Sequence, residues 1–140
     1  MSDATTQPAR PLTPVEIADR LVPERPAISP DGAHVAFAVA PAGKKGEHTE
    51  RAIWLSRNGA KAEPFTSGIA DDHSPVWSPD GQRLLFVSDR AKRGESKLYT
   101  ISINGGEAKA LGDLEGDLSG ASWSPDGKLV AVMRVDPATP

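Results

Sequence analysis

A five-residue pattern that occurs three times constrains the fold of this chain more than any other feature. An apolar residue followed by Ser, Pro, Asp and Gly stands at residues 28–32, 77–81 and 123–127, and successive glycines are 49 and 46 positions apart. Proline presets the backbone for a type I turn, Ser and Asp side chains bond the local backbone, and glycine accepts the left-handed conformation that follows. We therefore expect three equivalent turns, and we interpret the aspartates of the pattern as turn formers rather than catalytic groups.

The apolar runs around these turns predict that each repeat is a unit of four β-strands. A short strand precedes the turn, an alternating strand follows it, and a polar loop leads to a third and a fourth strand. The expected strands are 26–28, 35–39, 52–56 and 62–66 in the first unit, 75–77, 84–87, 97–102 and 107–111 in the second, and 121–123 and 129–133 in the third. Asn58-Gly59 and Asn104-Gly105 predict type I′ turns before the fourth strands, with positive φ at both residues of each pair.

The period of 46 to 49 residues is typical of a β-propeller, since WD-type blades have about 40 to 45 residues and kelch blades about 50. A solenoid or an immunoglobulin-like sandwich fits this period less well. We predict an all-β fold in which 27–140 form a partial propeller of about two and a half four-stranded blades. The predicted boundaries are about 27–66 for blade 1, 75–111 for blade 2 and 121–134 for the start of blade 3. Because propellers close with at least four blades, we expect the segment to be incomplete without the rest of its protein.

The segment before the first repeat has its own signals. Residues 1–11 are polar, and we expect a disordered tail. A capping box that begins at Thr13 predicts a short helix over about 14–21, and the prolines that follow it favour an extended chain. We therefore assign 12–26 to a helix and a linker.

Composition and charge exclude several classes of function. Sixteen Lys and Arg against nineteen Asp and Glu give a net charge of −3, which predicts no nucleic-acid partner. No apolar run approaches the roughly 20 residues of a membrane span, so no membrane partner is expected either. The absence of cysteine and of a signal peptide favours a cytoplasmic protein. We interpret His34, His48 and His73 as surface or turn residues and expect no metal and no cofactor.

Two conspicuous groups of residues have simpler interpretations than binding. Trp77 and Trp123 occupy the same position of the repeat, so we predict that both are buried between blades at equivalent places. Arg90, Lys92 and Arg93 form a small basic cluster, which we interpret as part of a solvated loop.

Three stretches carry a resemblance to a known family. They are Leu12-Thr13-Pro14 leading into the first turn, 71–81 followed by the run Leu85-Phe86-Val87-Ser88-Asp89-Arg90, and the returning pattern at 123–127. Over residues 12 to about 134 the chain resembles the N-terminal propeller region of the prolyl oligopeptidase family of serine peptidases, in its acylaminoacyl-peptidase and dipeptidyl-peptidase-like branch. The turn pattern alone is shared with TolB-type propellers.

The resemblance implies a full-length serine exopeptidase or oligopeptidase whose propeller gates the access of short peptides to a separate α/β-hydrolase domain. This chain has no Gly-x-Ser-x-Gly nucleophile elbow, so we predict no catalytic residue in it and no peptidase activity of the chain alone. The implied partners are the remainder of the propeller, the hydrolase domain and short peptide substrates, and a homo-oligomer is left open. The alternative is a non-catalytic TolB-type propeller that binds proteins.

The repeat also predicts two different faces of the propeller. Tight turns make up one face, and longer charged segments make up the other, at 41–51, 67–74, 89–96 and 112–120. Long loops on a rigid scaffold are where recognition tends to occur. On this long-loop face we predict a substrate-gating or interdomain surface that contains Asp71, Asp72, Asp89 and Arg90. We expect Arg90 to pair with a neighbouring carboxylate or to reach the catalytic domain.

Overall fold

Ten β-strands form the framework of the described part of the chain. The computed structural model describes residues 11, 14, 20–43, 46–114 and 116–136. The strands are β1 (Leu21–Ile28), β2 (His34–Pro41), β3 (Ala52–Arg57), β4 (Glu63–Pro64), β5 (His73–Trp77), β6 (Arg83–Ser88), β7 (Lys97–Ser102), β8 (Lys109–Ala110), β9 (Asp117–Trp123) and β10 (Val130–Val135).

These strands form three antiparallel sheets in chain order. Strands β1 to β4 form one sheet, β5 to β8 form another, and β9 pairs with β10. Each strand pairs with the next along the chain, so the two four-stranded sheets are up-and-down blades 1 and 2, and β9–β10 belongs to blade 3. The predicted all-β propeller segment is thereby confirmed. Among the described residues, no helix has the length and apolar character needed to cross a membrane.

The first strand is longer than predicted. It begins at Leu21, whereas the sequence pattern assigned residues up to 26 to the helix and the extended linker. Pro23 and Pro26 are tolerated because β1 lies at the edge of its sheet, where one row of backbone N–H groups needs no strand partner. Of the rest of the predicted helix the structure describes only Pro14, and its other residues lie outside the described part.

All three turns have the same hydrogen bonds. In the second, Gly81 N donates to Ser78 O at 2.9 Å, and Ser78 Oγ donates to Asp80 Oδ1 at 2.6 Å. The equivalent bonds in the other two turns measure 2.5 to 2.9 Å. The serine hydroxyl lowers the pKa of the aspartate in each turn, so the carboxylate stays ionised and bound to the turn. The interpretation of these aspartates as turn formers agrees with this geometry.

The innermost strands share a bulge that the sequence analysis missed. Three residues before the apolar residue of each turn pattern, φ is 48° at Arg25, 56° at Ser74 and 60° at Gly120. The pairing with the second strand shifts register at this place in blades 1 and 2, and an equivalent shift occurs between β9 and β10. A left-handed residue is a common way to make a β-bulge, and glycine adopts that conformation at the least cost.

The two Asn-Gly pairs form different turns. Asn58 and Gly59 have φ of 51° and 73°, which confirms the predicted type I′ turn. The prediction was wrong for Asn104, which does not have positive φ, whereas the two glycines after it have φ of 93° and 97°. Because Gly106 follows Gly105, the left-handed conformation occurs at the two glycines, one residue later than in the first unit. Asn104 therefore avoids the steric cost of positive φ.

The fourth strands are shorter than predicted, with two residues each in β4 and β8. The chain still follows the third strand beyond these pairs. Phe65 N and Thr66 N both donate to Ile53 O, at 2.7 and 3.1 Å, and Leu111 N donates to Leu98 O at 2.8 Å. The outer edge of each blade is therefore hydrogen-bonded but irregular.

The core consists of two apolar layers, one at each junction between blades. The layer between blades 1 and 2 contains Ala36, Ala38, Ile53, Leu55, Trp77, Leu84, Phe86, Tyr99, Ile101 and Ile103. The layer between blades 2 and 3 contains Leu85, Val87, Leu98 and Leu118, with Val76, Leu111, Ala121, Trp123, Val130 and Val132 packed against it. Blade 2 is thus covered on both faces, whereas each neighbour is covered on one.

The two repeat tryptophans lie at equivalent places but differ in burial. Trp77 is buried, as predicted, and its indole N–H donates to Ala27 O of blade 1 at 2.8 Å. Trp123 is half-buried, and its indole nitrogen is shielded from solvent but has no hydrogen-bond partner. Trp77 lies on a four-stranded sheet, whereas Trp123 lies on the two-stranded pair of β9 and β10.

Candidate functional site

A cluster of charged residues joins blades 1 and 2 on the long-loop face. We call it the interblade charge network and define it by its residues, which are Glu24, Arg51, Asp71, Asp72, Asp89, Arg90 and Arg93. The link between the blades supplies the two adjacent aspartates before β5, and the end of β6 supplies Asp89 and Arg90. The long loop of blade 1 supplies Arg51 directly before β3. The structure therefore places all four predicted residues in one cluster.

Arg51 clamps the interblade link to blade 1. Its Nε lies 2.5 Å from Asp71 Oδ1 and its Nη2 lies 2.9 Å from Asp71 Oδ2, a bidentate pair, while Nη1 lies 3.1 Å from Glu24 Oε2. The hydrogen-bonded Asp71 carboxylate raises the pKa of Arg51. Backbone bonds reinforce the clamp, because Arg51 N donates to Ala70 O and Asp72 N donates to Arg51 O, each at 3.1 Å.

Asp89 ties the same link to blade 2. Its Oδ1 accepts from Asp71 N at 2.9 Å and from Arg93 Nη1 at 2.5 Å, and its Oδ2 accepts from Gly94 N at 2.9 Å. Burial opposes ionisation of this carboxyl, but the two backbone N–H donors and the Arg93 charge outweigh burial and hold the pKa of Asp89 below its usual value. Asp89 is therefore a structural anion that organises the start of the second long loop.

Arg93 extends the network across the junction. Its Nη2 donates to Thr49 O in the long loop of blade 1 at 2.9 Å. The interpretation of this basic cluster as a solvated loop was wrong for Arg93, because Asp89 and Thr49 hold its guanidinium in place. The signal in the sequence was the spacing of four residues between Asp89 and Arg93.

Asp72 and Arg90 form the most buried pair of the network. Asp72 is fully buried, and its Oδ2 lies 2.9 Å from Arg90 Nη2. The Arg90 guanidinium also lies over the rings of Phe86 and Tyr99, at 5.1 and 5.2 Å from their centroids, and its Nε donates to Ser88 Oγ at 3.2 Å. The pairing expected for Arg90 is thus present in the structure.

The arrangement binds the long loops together. Each aspartate of the network forms an ion pair with an arginine. His73, next to Asp72, has its pKa lowered mainly by burial, and its Nδ1 lies 2.9 Å from Ser74 Oγ. Over the described ranges, no three His, Asp or Glu side chains are grouped closely enough to hold a metal ion. The network is best suited to fix the shape of a surface.

The family model of the TolB beta propeller domain matches residues 19–138. The chain is 35% identical over 109 residues to the uncharacterized peptidase YuxL of Bacillus subtilis, with 76% of this chain and 16% of that protein covered. It is 33% identical over 128 residues to dipeptidyl-peptidase 5 of Aspergillus fumigatus, with 78% of this chain and 18% of that protein covered. The chain therefore spans about a sixth of the length of each of these relatives.

Solved structures show the same architecture. TolB from Acinetobacter baumannii superposes with a TM-score of 0.62 at 26% identity, over 81% of this chain and 27% of that chain. The acylaminoacyl peptidase of Pyrococcus horikoshii superposes with a TM-score of 0.63 at 16% identity, over 81% of this chain and 17% of that chain. The expected resemblance to peptidase propellers is confirmed. The turn pattern occurs three times, the blades are antiparallel, and the family model matches residues 19–138. The chain therefore belongs to the TolB beta propeller domain family.

Proposed function

We propose that this chain is the N-terminal propeller part of a cytoplasmic serine exopeptidase or oligopeptidase similar to acylaminoacyl peptidases. In this proposal the propeller gates the access of short peptides to a separate α/β-hydrolase domain. The observation that carries it is the match to two relatives named as peptidases over more than three quarters of this chain. Catalysis then belongs to the hydrolase domain, and this segment restricts what reaches it.

The interblade charge network supports the assignment of the gating or interdomain surface to the long-loop face. Gating requires loops that keep their shape while substrates pass, and ion pairs between loops provide that rigidity. Arg90 is the residue that we assign to contact with the hydrolase domain or a passing peptide. Its guanidinium is oriented by Asp72, and 29% of its side chain remains exposed.

The experiment is to express the longest polypeptide that contains this chain and to measure hydrolysis of N-acylated and dipeptidyl anilides. A fluorophosphonate probe reports the nucleophilic serine independently of substrate choice. We expect the probe to label the polypeptide, short substrates to be cleaved and folded proteins to remain uncleaved. An unlabelled polypeptide without hydrolysis would contradict the peptidase assignment.

The gating surface is tested in the same polypeptide with Arg90→Ala. We expect a change in KM or in the preferred peptide length. Lys109→Ala, on the exposed outer strand of the same blade, is the matched control and should leave both unchanged. Equal kinetics in both variants would leave Arg90 with a structural role only.

A non-catalytic protein-binding propeller is the second candidate. The similarity to a TolB structure at 26% identity favours it. The fluorophosphonate experiment separates the two, because a non-catalytic propeller has no activated nucleophilic serine for the probe to label.

A further inference from the structure

The dipeptide Asn-Gly occurs twice, at equivalent places in two blades that give it different geometry. Asn58-Gly59 follows β3, and Asn104-Gly105 lies just beyond β7. Asparagine is among the chemically labile residues. It reacts most readily before glycine, because glycine has no side chain to hinder attack by its own backbone nitrogen. Both pairs are therefore candidate sites of spontaneous modification.

The reaction is deamidation, and its only co-reactant is water. The glycine nitrogen loses its proton to hydroxide and attacks Cγ of the asparagine, which closes a five-membered succinimide ring. Nδ2 takes up a proton and leaves as ammonia. Water then opens the ring at Cγ to give aspartate, or at the original backbone carbonyl to give isoaspartate, in which the main chain runs through Cγ. Either product adds one negative charge.

The first turn leaves the attacking nitrogen free. Asn58 and Gly59 are the two central residues of a type I′ turn, which Ala60 N closes by donating to Arg57 O at 2.9 Å. The closing bond therefore uses the N–H after the glycine. In the part of the chain that the structure describes, Gly59 N donates no hydrogen bond. Asn58 and Gly59 are both exposed, so hydroxide can reach the nitrogen.

The second turn engages the same nitrogen. Gly105 N donates to Ser102 O at 3.0 Å, and Gly105 is half-buried. Asn104 N donates to Ser102 Oγ at 3.2 Å, so one serine holds both residues of the pair. Attack on the asparagine amide requires the bond between Gly105 N and Ser102 O to break first. The reaction at this site is therefore slowed by the free energy of that hydrogen bond.

The surroundings of the two pairs are otherwise well matched. Both asparagines are exposed, and each donates its backbone N–H, since Asn58 N donates to Ala33 O at 2.9 Å. Each turn leads into an exposed strand of two residues, β4 or β8. The state of the glycine nitrogen is thus the main difference between the two sites.

We propose that Asn58 is a site of spontaneous deamidation in the folded protein and that Asn104, in the same dipeptide one blade later, is protected. The new carboxylate would stand next to Arg57 in the chain. Arg57 Nη2 reaches from blade 1 to blade 2, where it donates to Ile103 O at 2.5 Å. The product charge is therefore introduced beside a contact between blades. The proposal does not depend on the peptidase assignment.

The test compares folded and unfolded protein site by site. The longest polypeptide that contains this chain is aged at mildly alkaline pH, with and without guanidinium chloride. Peptide mapping by mass spectrometry then follows the replacement of each amide by a carboxyl group. The readout is the ratio of the native rate to the denatured rate at each asparagine. This ratio removes the effect of the residue after each pair, which is Ala60 in one and Gly106 in the other.

We expect similar rates at both sites in denaturant. In the folded protein the ratio at Asn58 should exceed the ratio at Asn104 by about fivefold or more, the factor that corresponds to one backbone hydrogen bond of net strength about 1 kcal/mol. Equal ratios, a larger ratio at Asn104, or no reaction of Asn58 in the folded protein would each overturn the proposal.

Amide hydrogen exchange tests the cause directly. We expect Gly59 N–H to exchange at nearly the rate of an unstructured peptide and Gly105 N–H to exchange more slowly. Equal protection of the two amides would remove the difference on which the selectivity rests.

A matched pair of variants identifies the source of the product. Asn58→Gly and Asn104→Gly each remove one reactive amide, and glycine tolerates the positive φ of the first turn. Circular dichroism checks that both variants fold. After ageing, isoaspartate is labelled with an isoaspartyl methyltransferase. The label should fall in Asn58→Gly and stay unchanged in Asn104→Gly, and the opposite pattern would contradict the assignment.

Discussion

The junction between blades 1 and 2 and the junction between blades 2 and 3 share one repeat but use different interactions. Both bury an apolar layer and cover a tryptophan with the residue after the preceding turn. Only the first junction adds the interblade charge network. At the second junction Leu118 stands at the repeat position of Asp72, Val135 at that of Asp89, and Ser96 at that of Arg51.

The comparison shows which interactions every junction of the repeat needs and which interactions the first junction adds. The second junction packs Leu118 where the first has a buried carboxylate, so stacking of blades does not require ion pairs. A buried ion pair gives less stability than apolar packing of the same volume, but it fixes orientation. The network therefore holds two particular segments in place, at 46–51 and 89–96, which supports a role for that part of the long-loop face.

The largest expected effect tests the apolar layers. Trp77→Ala should reduce the free energy of unfolding by about 3 to 5 kcal/mol, because a buried indole and its hydrogen bond to Ala27 are both lost. Trp123→Ala should cost about 1 to 2 kcal/mol, since that side chain is only half-buried. Urea unfolding at one fixed protein concentration, followed by circular dichroism, measures both. Equal costs would contradict the difference between the two junctions.

The next effect tests the buried pair. Arg90→Ala leaves the Asp72 carboxylate buried without a cation, and we expect a loss of about 2 to 4 kcal/mol in the same unfolding measurement. The double variant Asp72→Leu with Arg90→Met imitates the second junction, where Leu118 packs, and should recover most of that loss. No recovery would mean that the first junction needs the charges for stability itself.

Acid should weaken the first junction selectively. The pKa of Asp89 is lowered in the folded chain, so its ionised form stabilises the fold above the unfolded-state pKa of about 4. This stability is lost as pH falls through the lower folded-state pKa. Asp89→Asn should therefore flatten the dependence of unfolding free energy on pH below about 4. Hydrogen exchange should show earlier opening at 89–96 than at 117–123, and simultaneous opening would argue against a selective effect.

The turns made the blades predictable, because Ser, Pro, Asp and Gly each have a local reason to occupy their positions. The charge network was only partly predictable. Asp71, Asp72, Asp89 and Arg90 were identified from the sequence, but Arg51 was not, since its counterpart Ser96 is neutral and nothing in the repeat indicates a cation there. The bulges could not be predicted from the sequence for a similar reason. Their left-handed positions hold Arg25, Ser74 and Gly120, which share no side-chain property.

The smallest effect tests this bulge at the two ends of the described blades. Arg25 is exposed and has φ of 48°, a conformation that costs an L-residue about 1 to 2 kcal/mol. Arg25→Gly should stabilise the chain by about 0.5 to 1 kcal/mol, after the greater backbone entropy of glycine in the unfolded state is subtracted. Gly120→Ala, at the equivalent place in blade 3, should destabilise it because φ there is 60° and the added Cβ meets the Met133 side chain. Lys61→Gly, in an exposed loop without positive φ, is the control and should not stabilise the chain. A stabilising Gly120→Ala would show that the bulges of the two blades are not equivalent.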